Sequence, residues 1–119
     1  MITTDVFIAG AGLAGSIAAL SYAKSARNVV VADQFSYDDS SKFDYRTTAY
    51  LQPSKLFLEL IGVWDCVKDS AMPLEVMKII DASDKGNPGK IQSDKNFNSS
   101  EISDLPFGWN VKNLSLIHI

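Results

Sequence analysis

Two short apolar runs, Val6-Phe7-Ile8-Ala9 and Val29-Val30-Val31-Ala32, carry no polar alternation. Such runs suit parallel strands covered by helices on both faces. Between them Leu13, Ile17 and Leu20 recur at helical spacing through an Ala- and Leu-rich stretch, which predicts a helix over 13–25. Strand, helix and strand in that order make a βαβ unit with parallel strands and a right-handed crossover. The helix has no glycine at its end, so a left-handed stop is expected on Asn28 or on a different turn. The polar segment 34–46 reads as a loop. Pro53 and Ser54 then open a helical pattern in which Leu56, Phe57, Leu60 and Ile61 share a face, with Gly62 as the left-handed stop. A short helix over 64–70 follows, and Phe57, Leu60 and Trp64 are read as core. Beyond Pro73 the period changes to two, which predicts a strand over 74–80, a turn over 84–89 and an antiparallel partner over 90–97.

Length and charge narrow the picture. A chain of 119 residues is about one domain and excludes a complete two-domain enzyme. Apolar residues make up 46% and charged residues 21%, the composition of a soluble globular protein. Eleven basic against fourteen acidic residues leave a net charge of −3, which argues against a nucleic-acid partner. Cys66 and His118 are the only residues of their kinds, so neither a disulfide nor a Cys/His metal site can be assembled within the chain. Cys66 has no histidine to activate it and is not read as a nucleophile. The expected setting is reducing and cytoplasmic. Val6 to Ala23 carries no charge, but an acid precedes it, no basic residue does, and glycines interrupt it, so it is read as strand and helix rather than as a membrane span.

The chemistry is concentrated in Gly10-Ala11-Gly12-Leu13-Ala14-Gly15, a G-x-G-x-x-G that leaves the first strand and opens the first helix. The first glycine permits the tight turn, the second lets a diphosphate approach bare backbone, and the third lets helix and strand pack closely. The N–H groups and dipole of the helix N-terminus supply positive potential without a lysine. Asp33 ends the second strand 18 residues after Gly15, where an acid accepts hydrogen bonds from a ribose. Gln34 beside it joins the candidate contacts. The alternative for these residues is a plain tight turn and a strand cap, against which their joint register argues. An acid at this place disfavours a 2′-phosphate, leaving NAD or FAD open.

The residues Asp5-Val6-Phe7-Ile8, Phe43-Asp44-Tyr45-Arg46-Thr47-Thr48-Ala49, Phe57-Leu58-Glu59-Leu60-Ile61-Gly62-Val63-Trp64, Ala71-Met72-Pro73-Leu74 and Phe107-Gly108-Trp109-Asn110 extend the pattern. With them the chain resembles the FAD-dependent aromatic hydroxylases, in particular the branch that serves ubiquinone biosynthesis. The resemblance implies a Rossmann-like, doubly wound α/β FAD-binding region over 1–72, and the first strands of an antiparallel substrate-domain sheet over 73–113. Residues 114–119 look like a foreign tail and are set aside. It also implies that Asp33 holds the adenosine ribose and that Arg46 reaches the FAD diphosphate, a role its planar fork suits. No residue need act as acid, base or nucleophile. As implied, the whole enzyme is a monooxygenase that takes electrons from NAD(P)H and hydroxylates a polyprenylated phenol. Contact with the inner membrane surface and with other ubiquinone-biosynthesis proteins would follow. The chain is then an N-terminal fragment, expected to be inactive and poorly soluble alone. The rival readings are an NAD-dependent dehydrogenase and a non-catalytic dinucleotide-binding module.

Overall fold

The computed structural model describes residues 3–35, 45–83, 85–113 and 115. The loop prediction over 34–46 and the foreign-tail reading fall largely outside them. The βαβ unit is present: β1 (Val6–Ala9) and β2 (Val29–Ala32) pair in parallel, Val6 opposite Val29 through Ala9 opposite Ala32, with α1 (Leu13–Lys24) as the crossover. At its open end the Thr4 hydroxyl donates to the Asn28 carbonyl at 2.6 Å, and Asp5 Oδ2 accepts from the Asn28 N–H at 2.8 Å.

The doubly wound sheet expected around this unit is not formed. The parallel sheet holds β1 and β2 alone, and the other described strands make two antiparallel sheets. Helix α1 shields one face of the pair, the side of Val6 and Ile8, whereas Phe7 on the other face is 63% exposed. An apolar run therefore marks a strand here without marking cover on both sides. The next strand, β3 (Thr47–Leu51), shows why no further parallel strand joins. Its Thr48 and Tyr50 point inward and its Thr47, Ala49 and Leu51 outward, the alternation of an antiparallel strand with one wet face.

β3 pairs with β7 (Gly108–Lys112), which also pairs with β4 (Met72–Leu74), giving the order β3-β7-β4. Gly108 makes this approach possible, since a Cβ there would overlap the Tyr50 carbonyl and stand 2.8 Å from Leu51 Cα. β5 (Val76–Asp81) and β6 (Ser93–Asn98) form a separate hairpin in full register, with Lys78 and Asp94 paired at 2.9 Å.

α2 (Gln52–Leu60) starts with Pro53 in its first turn and ends in a Schellman motif: the Gly62 N–H donates to the Glu59 carbonyl and the Val63 N–H to the Leu58 carbonyl, with Gly62 at φ +69°. α3 (Trp64–Val67) and a 3-10 turn (Lys68–Ser70) follow. The core is Tyr50, Leu58, Ile61, Val63, Trp64, Val67 and Val111, against which Leu13, Ile17 and Leu20 of α1 pack. Trp64 is thus core as expected, but Leu60 is 81% exposed and Phe57 is also exposed. Within α2 the buried residue is Leu58, outside the predicted face, and of that face Ile61 at the C-cap is the one buried. Lys55 lies over the rings of Trp64 and Trp109 at 5.5 and 5.4 Å and pairs with Glu59, fastening α2 to β7.

α1 ends in the same motif as α2, through Ala26 N–H to the Ala23 carbonyl and Arg27 N–H to the Tyr22 carbonyl. The left-handed residue is Ala26, at φ +55°, not Asn28.

Candidate dinucleotide-binding site

The site lies where the carboxyl ends of β1 and β2 meet the start of α1. Gly10 extends the parallel ladder by donating its N–H to the Ala32 carbonyl at 2.7 Å, then turns the chain with φ +107°. That backbone conformation favours glycine. Gly12 is the N-cap residue of α1, and a Cβ built on it meets nothing within 4 Å. Gly15 is the opposite case: a Cβ would overlap the Gly10 carbonyl oxygen and come within 3.1 Å of its carbon and 3.4 Å of Ile8 Cγ2. One glycine leaves a bare outer surface, and the other lets the helix sit on the turn.

Leu13, Ala14 and Gly15 form the first turn of α1, where backbone N–H groups have no partner within the helix. No side chain caps this end and no acid stands in its first turn. The first-turn N–H groups are therefore open to an anion at the positive end of the dipole. The Ser16 hydroxyl, donating to the Ala11 carbonyl at 3.0 Å, steadies the turn from within the helix. Sequence reasoning passed over Ser16, because a serine early in a helix ordinarily serves as a cap or faces water.

Asp33 is joined directly to the turn. Its Oδ2 accepts from the Ala11 N–H at 2.6 Å and its Oδ1 from the Phe35 N–H at 2.9 Å. The backbone N–H groups of Phe35, Ala11 and Gln34, in that order of effect, hold its carboxyl below the ordinary carboxylate range. It is ionised at neutral pH, and a carboxylate offers about four lone-pair sites, so two hydrogen bonds leave room for ribose hydroxyls. Gln34 is exposed next to it.

Arg46 is the residue immediately before β3. Its carbonyl accepts from the Asn113 N–H at 3.0 Å, and Asn113 Oδ1 accepts from the Thr48 hydroxyl at 2.7 Å. Asn113 is a buried polar residue that fixes the start of β3, and no sequence pattern singled it out. The structure thus brings Gly10 to Gly15 and Asp33 together through a hydrogen bond, while Arg46 leads into β3, a strand of another sheet.

No family model matches the chain, and no curated protein matches it. Its fold is similar to that of the solved protein tetracycline destructase Tet(51). The TM-score is 0.55 at 11% identity, over 98% of this chain and 26% of that one. The chain spans about a quarter of that protein's length, and the likeness at this identity is one of fold. These comparisons do not uphold the resemblance to the ubiquinone-biosynthesis branch of the aromatic hydroxylases. Packing accounts for much of what carried it. Leu58, Ile61, Val63 and Trp64 are core residues, and Gly108 is demanded by the approach of two strands. Phe43 and Asp44 lie outside the described residues. Among the described residues no helix is long and apolar enough to cross a membrane, and no group of three His, Cys, Asp or Glu side chains stands ready for a metal ion.

Proposed function

We propose that this chain is the adenine-dinucleotide-binding part of a flavin-dependent monooxygenase, with FAD as its dinucleotide and NAD(P)H as the reductant of the whole enzyme. The observation that carries the reading is the hydrogen bond from the Ala11 N–H to Asp33. It puts the acid that would hold a ribose against the turn that would hold a diphosphate, within one small site.

The residues present fit the group. The first-turn N–H groups of Leu13, Ala14 and Gly15 would meet the diphosphate, with Gly12 leaving its path clear. Asp33 would accept from the adenosine ribose with its remaining lone pairs, and Gln34 and Arg46 complete the proposed contacts. When bound, FAD supplies the redox chemistry, taking electrons from the reductant and delivering them to dioxygen. The residues named here bind and orient; none has to move a proton. The structural likeness to a tetracycline destructase supports reading the whole protein as an enzyme that acts on a small organic molecule.

The test is a titration of the chain, produced as a fusion to a soluble carrier, into FAD with flavin fluorescence as the readout. Saturable quenching is expected, and Asp33→Ala should weaken it at least about tenfold, as loss of a charged hydrogen-bond acceptor does, with an unchanged circular dichroism spectrum. Absence of saturable binding, or full affinity in Asp33→Ala, overturns the reading. A chain that binds NAD in preference to FAD overturns its flavin part.

A further inference from the structure

Away from the glycine turn, α1, β3 and α2 border a cleft of about 340 Å³ lined by Ile17, Tyr50, Pro53, Ser54, Phe57 and Leu58. Five of these six residues present hydrocarbon or aromatic surface. Tyr50 is only 7% exposed and belongs to the core, yet its phenol hydroxyl has no hydrogen-bond partner among the described residues. No fully buried side-chain oxygen or nitrogen in the described structure lacks a partner. The Tyr50 hydroxyl is therefore not sealed from solvent, and Tyr50 is one of the residues that line the cleft. Burial pushes the phenol above its ordinary pKa, so at neutral pH it is protonated and a donor.

A mostly apolar pocket with a few polar groups, here the Tyr50 and Ser54 hydroxyls, is the usual form of a small-molecule site, and its volume falls in the common range of about 300–1,000 Å³. A cavity of about 150 Å³ suffices for benzene, so this one has room for a ring and its substituents. We propose that the cleft binds a small aromatic molecule bearing an acceptor oxygen, the ring lying against Ile17, Pro53 and Phe57 and the oxygen accepting from the Tyr50 hydroxyl. The site is separate from the glycine turn and does not depend on the dinucleotide reading.

Acetophenone and ethylbenzene differ in the carbonyl oxygen and little in shape, and saturation-transfer NMR on the carrier-fused chain reads the binding of each. Acetophenone should bind more tightly. Tyr50→Phe, which keeps the ring and removes the hydroxyl, should weaken acetophenone roughly fivefold and leave ethylbenzene unchanged. Ser54→Trp, which fills the cleft from an exposed helix position, should abolish both. Fluorescence melting of each variant checks that it is folded. The proposal is overturned if neither probe receives saturation at millimolar concentration, if Tyr50→Phe holds acetophenone as well as the parent chain, or if folded Ser54→Trp binds both as before.

Discussion

Two alanine substitutions three residues apart separate the binding role of the glycine turn from its packing role. At Gly15 a methyl group would overlap the Gly10 carbonyl oxygen and crowd its carbon at 3.1 Å and Ile8 Cγ2 at 3.4 Å. Two of those three atoms are backbone, so no rotamer relieves the clash and the N-terminus of α1 must lift away. Overpacking of this kind costs about 1–3 kcal/mol, and the better helix propensity of alanine returns about 1 kcal/mol. The expected net loss for Gly15→Ala is therefore about 0–2 kcal/mol, and near the upper end because the overlap is with backbone. At Gly12 a methyl group meets nothing, and the backbone, with φ −67° and ψ −177°, is open to any residue. The gain from a stiffer unfolded chain, about 0.4–1 kcal/mol, is offset by the poor N-cap character of alanine. Gly12→Ala should melt within a degree or two of the parent, while its methyl stands where the diphosphate would pass. Urea unfolding with flavin titration on both variants gives the answer. Gly15→Ala should lose stability and affinity together, and Gly12→Ala affinity alone, by tenfold or more. A folded Gly12→Ala that binds FAD as the parent does would refute the placement of the diphosphate.

Two further outcomes follow from local geometry. Ala26 holds the left-handed stop of α1 at φ +55°, a conformation that costs a non-glycine residue about 1–2 kcal/mol. Ala26→Gly removes that strain and gives back part of it through the looser unfolded chain, so a gain of about 0.5–1 kcal/mol is expected. That corresponds to about 2–6 °C in a thermal melt, and no change or a loss would count against the strain. Asp33 titrates in the other direction from a buried acid. Its folded pKa is depressed, so its contribution to stability is present at neutral pH and is lost as pH falls through that lowered value. Asp33→Asn cannot ionise, so its stability should fall less steeply than the parent's below about pH 4, the ordinary aspartate value. Lowered acids elsewhere, Asp65, Asp81 and Glu101, act equally in both proteins and drop out of the difference. Parallel acid-unfolding curves would show that the Asp33 hydrogen bonds do not contribute.

The βαβ unit and the hairpin were legible in the sequence because each is specified locally. The unit has an apolar run, a glycine turn, a helix and a second run within a few dozen residues, and the hairpin has period-two alternation around an Asn-Pro-Gly turn. The β3-β7-β4 sheet was not legible. The paired strands β3 and β7 stand some sixty residues apart in the chain, and β3 reads Thr-Thr-Ala-Tyr-Leu, in which only Thr48 and Tyr50 reveal an inner face, and only once the pairing is known. The same blindness produced the error in fold class. An apolar strand says that it avoids water, not which element covers it, and Phe7 remains exposed beside a shielded Ile8. Within the site, the glycines and Asp33 were legible because their roles follow from backbone geometry. Ser16 acts through a hydrogen bond to the Ala11 carbonyl and Asn113 through bonds to Arg46 and Thr48 on a distant strand, and neither leaves a periodic trace.

The position of α1 explains how so small a core can support a site at its edge. The buried cluster is built from α2, α3, β3 and β7, and neither strand of the parallel pair contributes to it. The site, however, is made from the ends of that pair. Leu13, Ile17 and Leu20 pack the helix against the cluster, while the backbone at its first turn forms the anion-binding end. Gly15 seats the helix on β1 through the Gly10 carbonyl, and Asp33 closes β2 onto the turn through Ala11. The helix therefore carries positional order from the core to the turn, and the glycine and the acid transmit it to the two strands. Loosening either contact would blur the site before it disturbed the cluster, because the cluster has no atom in the parallel pair to lose.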